Sequence, residues 1–366
     1  MTAFVEACVE TVTGSAQAAM RRSRGHPHAR HLLKVLAAKQ NILVTTHIHP
    51  DPDALASSAA LATLLAAKLP GAKVSVSIKG QVGGGVNAIF AEMTDLQLVP
   101  WDETALSTYD AIVLVDTQPP FGNNPLPAGM MPTAVIDHHR SAGARRPACA
   151  YCDIRPDVGA TGSLVFSYFM ELEQPINRDL AATLLFGIES DLAGAAGTPG
   201  ELDNVALSNL TLIANPQRLY RMRYAPMPQS YFQTYANALQ NAMKYDDAVI
   251  TFCETVDSPE QPAVIADFLL RYDKVNWVLS AAVYKDYLVY SLRTNDAKRS
   301  AADVMRRLMR KLGEGGGHRT KAGGGIKLAN GTPTEVDRVR AIVRRRYLRN
   351  LHITGERGQR LVTKTM

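Results

Sequence analysis

Asn41 to Ser58 read NILVTTHIHPDPDALASS, and this stretch decides the fold. It opens with β-favouring residues, Ile42–Thr46, and small apolar residues follow from Ala54 onward. A short apolar strand that leads into a helix is typical of α/β proteins. Between the two elements lie four side chains with ligand chemistry, His47, His49, Asp51 and Asp53. The stretch therefore predicts a buried strand whose carboxyl end carries chemistry.

The turn between this strand and helix is expected to be rigid, because it contains Pro50 and Pro52. Asp53 is predicted to be the N-cap of a helix that begins at Ala54. Oxygen and nitrogen ligands on a stiff turn suit a hard or borderline divalent cation such as Mn²⁺ or Mg²⁺. The alternative is a solvated acidic turn that only caps the helix.

The same design recurs later in the chain. Ala111–Asp116 is a continuous apolar run that ends in an acid, and Ala134–His139 ends in Asp-His-His. A further apolar stretch, Leu185–Asp191, also ends in an acid, although alone Asp191 would be a turn residue. Strands that alternate with helices predict a doubly wound, mostly parallel sheet that binds ligands at its carboxyl edge.

A chain of 366 residues favours two domains. The pattern changes from alternating strands and helices to polar helices, and then to short strands separated by turns. We expect a helical connector to join the first domain to a smaller α/β C-terminal domain. The predicted order is a peripheral segment at 1–28, the first domain at 29–200, the connector at 201–245, the C-terminal domain at 246–350 and a basic tail at 351–366.

The C-terminal domain contains a glycine-rich stretch, GEGGGHRTKAGGG at 313–325. Glycines such as Gly316 and Gly317 let backbone N–H groups approach an anion. His318 in the same stretch and Arg293 at a strand end are side-chain donors for phosphate. The alternative is a glycine-rich surface loop without a ligand.

Composition narrows the class of protein further. The formal net charge is +6, and much of the excess lies in arginines between 338 and 360, which would serve a polyanion or form a solvated helix face. The sequence predicts no membrane-spanning segment and no signal peptide. Four cysteines without framework spacing, including Cys149 and Cys152, indicate a reducing compartment, so a cytoplasmic location is expected.

Five motifs in a fixed order resemble the DHH phosphoesterase superfamily. They are H-x-x-P-D-x-D-A at 47–54, the strand-ending Asp116, D-H-H at 137–139, G-I-x-x-D at 187–191 and G-G-G-H at 315–318. The resemblance implies a site for two divalent cations, usually Mn²⁺, with Mg²⁺ or Co²⁺ as alternatives. Two such ions lower the pKa of a shared water, which then attacks phosphorus.

The resemblance also implies a role for each matching residue. His47 and Asp51 would hold one ion; Asp53, His138 and Asp191 would hold the other; and Asp116 would bridge the two. Asp137 would orient the neighbouring histidines, and His139 would face the substrate phosphate. Together Asp116, Asp137, His138 and His139 are the predicted catalytic residues, and His139, Arg293, Gly316, Gly317 and His318 are the predicted substrate-binding residues.

Within the superfamily, the chain looks most like the stand-alone nanoRNase/pAp phosphatases. Those enzymes release mononucleotides from very short RNA and dephosphorylate 3′-phosphoadenosine 5′-phosphate (pAp). Cleavage of cyclic or linear dinucleotides is an alternative within the superfamily, and a non-catalytic nucleotide-binding protein is one of another class. The expected partners are short RNA or nucleotide phosphates and no membrane, with no stable protein partner evident and a homodimer as an option. The sequence Leu192-Ala193 after Asp191 departs from the usual pattern and bears on substrate choice.

Overall fold

The computed structural model describes residues 27–80, 86–119, 121–140, 147–193, 199–317, 319–355 and 357–362, without the side chains of 86–89. The described residues divide into two compact units, one up to residue 225 and the other from residue 226 onward. None of the described helices is both long enough and apolar enough to cross a lipid bilayer.

The first unit alternates strands with helices. In chain order it contains α1 (His28–Leu36), β1 (Asn41–Thr46), α2 (Pro52–Lys68), β2 (Lys73–Ser77), α3 (Val86–Met93), β3 (Leu98–Val99), a 3₁₀ turn (Thr104–Thr108), β4 (Ala111–Val115), β5 (Ala134–Asp137), β6 (Tyr151–Ile154), α4 (Thr161–Glu171), α5 (Arg178–Leu192), α6 (Glu201–Ile213) and α7 (Pro216–Arg223).

The strands of the first unit form one parallel sheet in the order β3-β2-β1-β4-β5-β6. The strand order reverses between β1 and β4, and ligands of doubly wound sheets bind outside the carboxyl ends of the strands at such a reversal. Residues of β4 and β5 are buried throughout, as expected of strands covered on both faces. The prediction of a doubly wound parallel sheet is confirmed.

The junction of β1 and α2 differs by two residues from the prediction. The helix begins at Pro52, and its N-cap is Asp51, whose Oδ1 accepts a hydrogen bond from the Ala54 amide at 3.0 Å. Proline suits the first helical position because its missing N–H would have no helical partner there. Asp53 therefore lies inside the first turn, fully buried, and the prediction that it caps the helix is wrong.

The second unit is a smaller α/β domain, as expected. It contains α8 (Gln229–Asn241), β7 (Met243–Tyr245), β8 (Ala248–Thr255), α9 (Gln261–Leu269), β9 (Trp277–Tyr284), β10 (Tyr287–Thr294), α10 (Ala301–Met309), β11 (Glu314–Gly317), β12 (Lys321–Lys327), α11 (Pro333–Asn350) and β13 (Gln359–Arg360). Its seven strands lie in the order β11-β12-β10-β9-β8-β7-β13, and only β8 and β9 pair in parallel.

Most of the glycine-rich stretch is strand rather than the surface loop that the sequence left as an alternative. Residues 314–317 and 321–327 form the antiparallel strands β11 and β12. Glycine is required because α10 packs directly on them: a Cβ at Gly324 would lie 2.9 Å from Met305 Sδ and 3.0 Å from Met309 Cγ. The composition that resembled a flexible loop therefore reflects close packing of a helix on a sheet.

Two further expectations differ from the structure. The predicted connector 201–245 is divided between the two units, because apolar residues of α6 and α7 such as Leu210 and Met222 are buried in the core of the first unit. The predicted basic tail contributes the strand β13, which pairs with β7.

The arginines of α11 have mixed roles. Arg346 Nη1 donates to the carbonyl of Leu308 at 2.6 Å, and Arg340 Nη2 donates to the carbonyl of Cys253 at 2.9 Å. Part of the arginine-rich run therefore holds α11 against its neighbours. Among the other cysteines, Cys149 and Cys152 are joined as a disulfide, which differs from the reduced thiols expected from their spacing.

Candidate metal centre

The carboxyl ends of three adjacent strands carry the predicted ligand residues. His47 follows β1, Asp116 follows β4, and Asp137 ends β5 with His138 and His139 directly after it. Since β1, β4 and β5 are neighbours in a parallel sheet, these ends lie along one edge. The edge includes the point where the strand order reverses, so the fold itself brings together motifs that are far apart in the sequence.

The ligand atoms at this edge form three overlapping groups. In each group one atom per residue lies within 4.8 Å of the others: His47, Asp51 and Asp116; Asp53, His138 and Asp191; and Asp116, His138 and His139. The first two groups are the two halves that the family resemblance assigns to two ions. Asp116 belongs to two groups, which suits the bridging role predicted for it.

Asp116 presents its two oxygens to different histidines. Its Oδ1 lies 3.5 Å from His138 Nε2, and its Oδ2 lies 3.7 Å from His47 Nε2. His138 Nε2 is also 3.3 Å from Asp191 Oδ2. Nitrogen and oxygen atoms at these separations can share a cation between them, and only 2% of Asp116 is exposed to solvent.

Asp53 is fixed by the first turn of α4. Its Oδ2 accepts a hydrogen bond from the Thr161 amide at 2.7 Å, and its Oδ1 accepts one from the Gly162 amide at 3.0 Å. A carboxylate is favoured there because the N-terminus of a helix carries partial positive charge. The buried Asp53 carboxylate therefore has defined partners.

Burial and mutual repulsion disturb the acids of this centre. Burial raises the pKa of Asp53 well above its usual value, and the negative charges of Asp191 and Asp51 raise it further. Burial likewise raises the pKa of Asp116, and Asp53 and Asp51 add to the effect. Carboxylates that repel one another in a buried site are stabilised by a cation among them.

The two adjacent histidines differ in their environment. Burial lowers the pKa of His138, and the charge of His139 lowers it further, so His138 favours the neutral form that ligates metals. Burial also opposes protonation of His139, but a hydrogen bond from its Nδ1 to Asp137 Oδ1 at 2.6 Å raises its pKa above the usual value. A protonated His139 suits a residue predicted to face phosphate.

Asp191 reaches the site from a helix. The apolar stretch before it continues α5 through Leu192, so Asp191 lies in the last turn of that helix rather than after a strand. His49 is outside all three groups, as the prediction left it. Three strand ends and two helices, α2 and α5, therefore supply the candidate ligands.

The predicted substrate-binding residues of the second unit lie on β10 and β11, the two strands that flank β12. Arg293 on β10 is paired in register with Lys321 on β12, and Gly317 on β11 is paired with Ala322. The guanidinium of Arg293 donates to Asp267 Oδ1 at 2.6 Å and to Ser291 Oγ at 2.8 Å. A Cβ at Gly316 would meet no atom within 4 Å. His318 lies outside the described residues.

Several groups around the centre were missed from the sequence. The Thr161 hydroxyl donates to Asp116 Oδ1 at 2.6 Å, and the carbonyl of Val158 lies 3.3 Å from His138 Nδ1. Gln118 Nε2 donates to the carbonyl of His139 at 3.0 Å. Their residue types carry no metal chemistry, and the only available signal was that Thr161 and Gly162 start a helix after a strand.

The donor set fits divalent cations. Each half offers one imidazole nitrogen and at least two carboxylates, which suits Mn²⁺ and is compatible with Mg²⁺ where oxygen dominates. Burial and mutual repulsion raise the pKa values of Asp53 and Asp116, and a bound cation would relieve that repulsion. Asp116 links the His47 group to the His139 group, and His138 links the His139 group to the Asp53 group, so the ligand atoms form one continuous cluster.

Part of the chain matches a known family. Residues 41–188 match the family model described as the DHH family, N-terminal domain. An uncharacterized protein of Methanocaldococcus jannaschii, MJ1633, is 28% identical over 292 residues, which cover 79% of this chain and 59% of that protein. The chain thus spans 59% of the length of this curated relative.

Two solved structures also resemble the chain. An exopolyphosphatase-related protein from Bacteroides fragilis has a TM-score of 0.69 at 18% identity, covering 88% of this chain and 97% of its own. RecJ from Thermus thermophilus, solved with Mn²⁺, has a TM-score of 0.49 at 17% identity, covering 87% of this chain and 54% of its own. The chain is therefore similar to the DHH family over residues 41–188, and its fold is similar to that of the exopolyphosphatase-related protein.

Proposed function

We propose that this protein is a phosphoesterase of the DHH family that uses two divalent cations, with Mn²⁺ as the first choice, to hydrolyse short oligoribonucleotides to mononucleotides, pAp to AMP, or both. The observation that carries the metal-dependent chemistry is the two ligand groups at the carboxyl edge of the sheet, one with Asp116 and the other with His138, whose Nε2 lies 3.5 Å from Asp116 Oδ1. The substrate class rests on the order of motifs in the sequence and on the basic residues of the second unit.

Residues of the first unit would bind the metal ions and one phosphate oxygen of the substrate. His47, Asp51, Asp53, Asp116, His138 and Asp191 would hold the ions. Ions bound there would lower the pKa of a water molecule and neutralise charge on the phosphoryl oxygens. Asp137 holds the His139 ring through Nδ1 and favours its positive charge, which would bind a phosphate oxygen.

The second unit would bind the rest of the substrate. The Arg293 guanidinium has a defined orientation, because Nε and Nη2 donate to Asp267 and Nη1 donates to Ser291, and its positive charge would attract phosphate. Gly316 on β11 leaves open space for an approaching ligand. We include His318 in this phosphate-binding set because of its motif.

The test is a product analysis with Mn²⁺ on a panel of substrates. The panel holds a 5′-phosphorylated diribonucleotide, a longer single strand, pAp, cyclic di-AMP and inorganic polyphosphate. The loss variant is Asp116→Asn, because Asn keeps the shape of the side chain and tolerates the left-handed backbone at this position, where φ is 59°. Asp110→Asn, which changes an exposed acid before the same strand, is the matched control.

We expect the wild type and Asp110→Asn to consume the dinucleotide and pAp. Asp116→Asn should lose roughly a hundredfold or more in kcat/KM, since it removes a shared ligand. Cleavage of only the cyclic dinucleotide, the long strand or polyphosphate would contradict the proposed substrate class. No turnover with Mn²⁺, Mg²⁺ or Co²⁺ would favour the non-catalytic nucleotide-binding alternative.

A further inference from the structure

Residues 158–162 run from the turn after β6 into the first turn of α4. They contact candidate ligands that come from three different elements. The Thr161 hydroxyl donates to Asp116 Oδ1 at 2.6 Å, and the Thr161 amide donates to Asp53 Oδ2 at 2.7 Å. Val158, in the same segment, places its carbonyl 3.3 Å from His138 Nδ1. Both ion-binding groups of the candidate centre are therefore in contact with residues 158–162.

Burial protects the hydrogen bond between the Thr161 hydroxyl and Asp116 from water. Thr161 is 0% exposed and Asp116 is 2% exposed, so bulk water does not compete for this hydrogen bond. A hydroxyl that donates to a carboxylate forms a short, charge-assisted bond. It restrains rotation of the carboxylate group, which otherwise could turn about its last side-chain bond.

The orientation of this carboxylate matters because its two oxygens serve different groups. Oδ1 lies 3.5 Å from His138 Nε2, and Oδ2 lies 3.7 Å from His47 Nε2. The hydroxyl of Thr161 holds Oδ1, and so determines where Oδ2 lies. A turned carboxylate would present its oxygens poorly to one or both groups.

The first turn of α4 packs closely against Asp53 and Ile188. A Cβ at Gly162 would lie 2.8 Å from Asp53 Oδ1 and 2.9 Å from Ile188 Cγ1. Glycine thus lets the helix approach Asp53 closely enough for its amide to donate at 3.0 Å. Because the backbone is fixed by these contacts, the Thr161 hydroxyl reaches Asp116 without rearrangement.

We propose that Thr161 is a positioning residue that locks the Asp116 carboxylate so that one oxygen faces each ion-binding group. The inference rests on the proposed function, since it concerns the same centre. Thr161 touches no substrate; it acts through Asp116. Partners of metal ligands of this kind typically contribute about 10–100-fold to metal affinity or activity.

The experiment measures Mn²⁺ binding by titration calorimetry on the full chain. Thr161→Val removes the hydroxyl at nearly constant volume and keeps the amide that binds Asp53, and Thr161→Ser restores the hydroxyl. The matched control is Thr183→Val, since Thr183 is also buried in the first unit but donates only to the carbonyl of Asp179, at 3.1 Å. Thermal melting of the Mn²⁺-free proteins shows whether each variant folds.

We expect Thr161→Val to bind Mn²⁺ more weakly, by roughly tenfold or more. We also expect this variant to have a lower kcat and an unchanged KM. Thr161→Ser should recover most of the affinity, and Thr183→Val should bind as the wild type does. If Thr161→Val does not fold, Thr161→Ala removes the same hydroxyl without the added methyl group and is judged by the same criteria.

Three results would overturn the inference, and they differ in what they imply for the proposed function. Wild-type Mn²⁺ affinity in Thr161→Val, or equal losses in Thr161→Val and Thr183→Val, would show that the hydroxyl has only a structural role, while the proposed function stands. A wild-type chain that binds no Mn²⁺ would remove the centre, and with it both the proposed function and the role of Thr161.

Discussion

At the scale of single residues, the centre depends on backbone conformations that few residue types adopt. Asp116 and His49 both have positive φ, 59° and 57°. Asp, Asn and His tolerate this left-handed region better than branched residues do. The turn after β4 that presents the Asp116 carboxylate therefore restricts position 116 to few side chains, apart from any need for a ligand.

The two histidines of the first motif should differ in function. Only His47 belongs to a ligand group, through its contact with Asp116 at 3.7 Å. We expect His47→Asn to weaken Mn²⁺ binding by at least roughly tenfold, and His49→Asn to leave it within about twofold, because Asn also tolerates the backbone at 49. Calorimetric titration of both variants is the measurement. Equal losses would contradict the assignment.

At the scale of elements, close packing explains several glycines whose role the composition did not reveal. Gly315 of β11 and Gly324 of β12 allow α10 to lie on the sheet, with Met305 and Met309 buried against them. The same principle operates at Gly162, which brings α4 against Asp53. Glycine in these elements therefore serves the approach of a helix rather than flexibility.

Two adjacent glycines of β12 provide a matched test. Gly324→Ala should lower the free energy of unfolding of the second unit by about 1–3 kcal/mol, because its Cβ would overpack against Met305 and Met309. Gly323→Ala should change it much less, since the nearest atom is the Tyr290 carbonyl oxygen at 3.9 Å. Urea denaturation followed by a probe of the second unit measures both. Similar losses at the two positions would rule out packing as the reason for glycine.

At the scale of the whole molecule, the chain is two units with separate cores and different sheets. The candidate metal centre is built entirely from the first unit, whereas Arg293 and Gly316 belong to the second. A ligand that binds only the native state stabilises the part of the protein that holds it. Metal alone should thus act on one unit.

Hydrogen exchange can test this division. At a free Mn²⁺ concentration of about 100 times Kd, binding stabilises the native state by about 2.7 kcal/mol. We expect slower amide exchange in β1, α2 and α4 on addition of Mn²⁺, and little change in β9 and β10. The Asp116→Asn variant should show no response. Protection that rises equally in both units would contradict a centre confined to the first.

The sequence alone was enough for the α/β class, the alternation of β1, α2, β4 and β5, and the ligand-type residues at their ends. These features are readable because apolar periodicity and ligand chemistry are local properties of a few neighbouring residues. The resemblance to the DHH superfamily followed from the order of the motifs. The start of α2 was misplaced because proline at position 52 and aspartate at 51 share the helix terminus with Asp53.

Only the tertiary structure decided which side chains meet. Thr161 contacts Asp116 across 45 residues and Asp53 across 108, and neither contact leaves a local pattern in the sequence. Strand order sets these contacts, because the reversal between β1 and β4 brings their carboxyl ends to one edge. The role of Gly315 and Gly324 likewise depended on the packing of α10. A glycine-rich composition alone does not distinguish a strand packed under a helix from a loop.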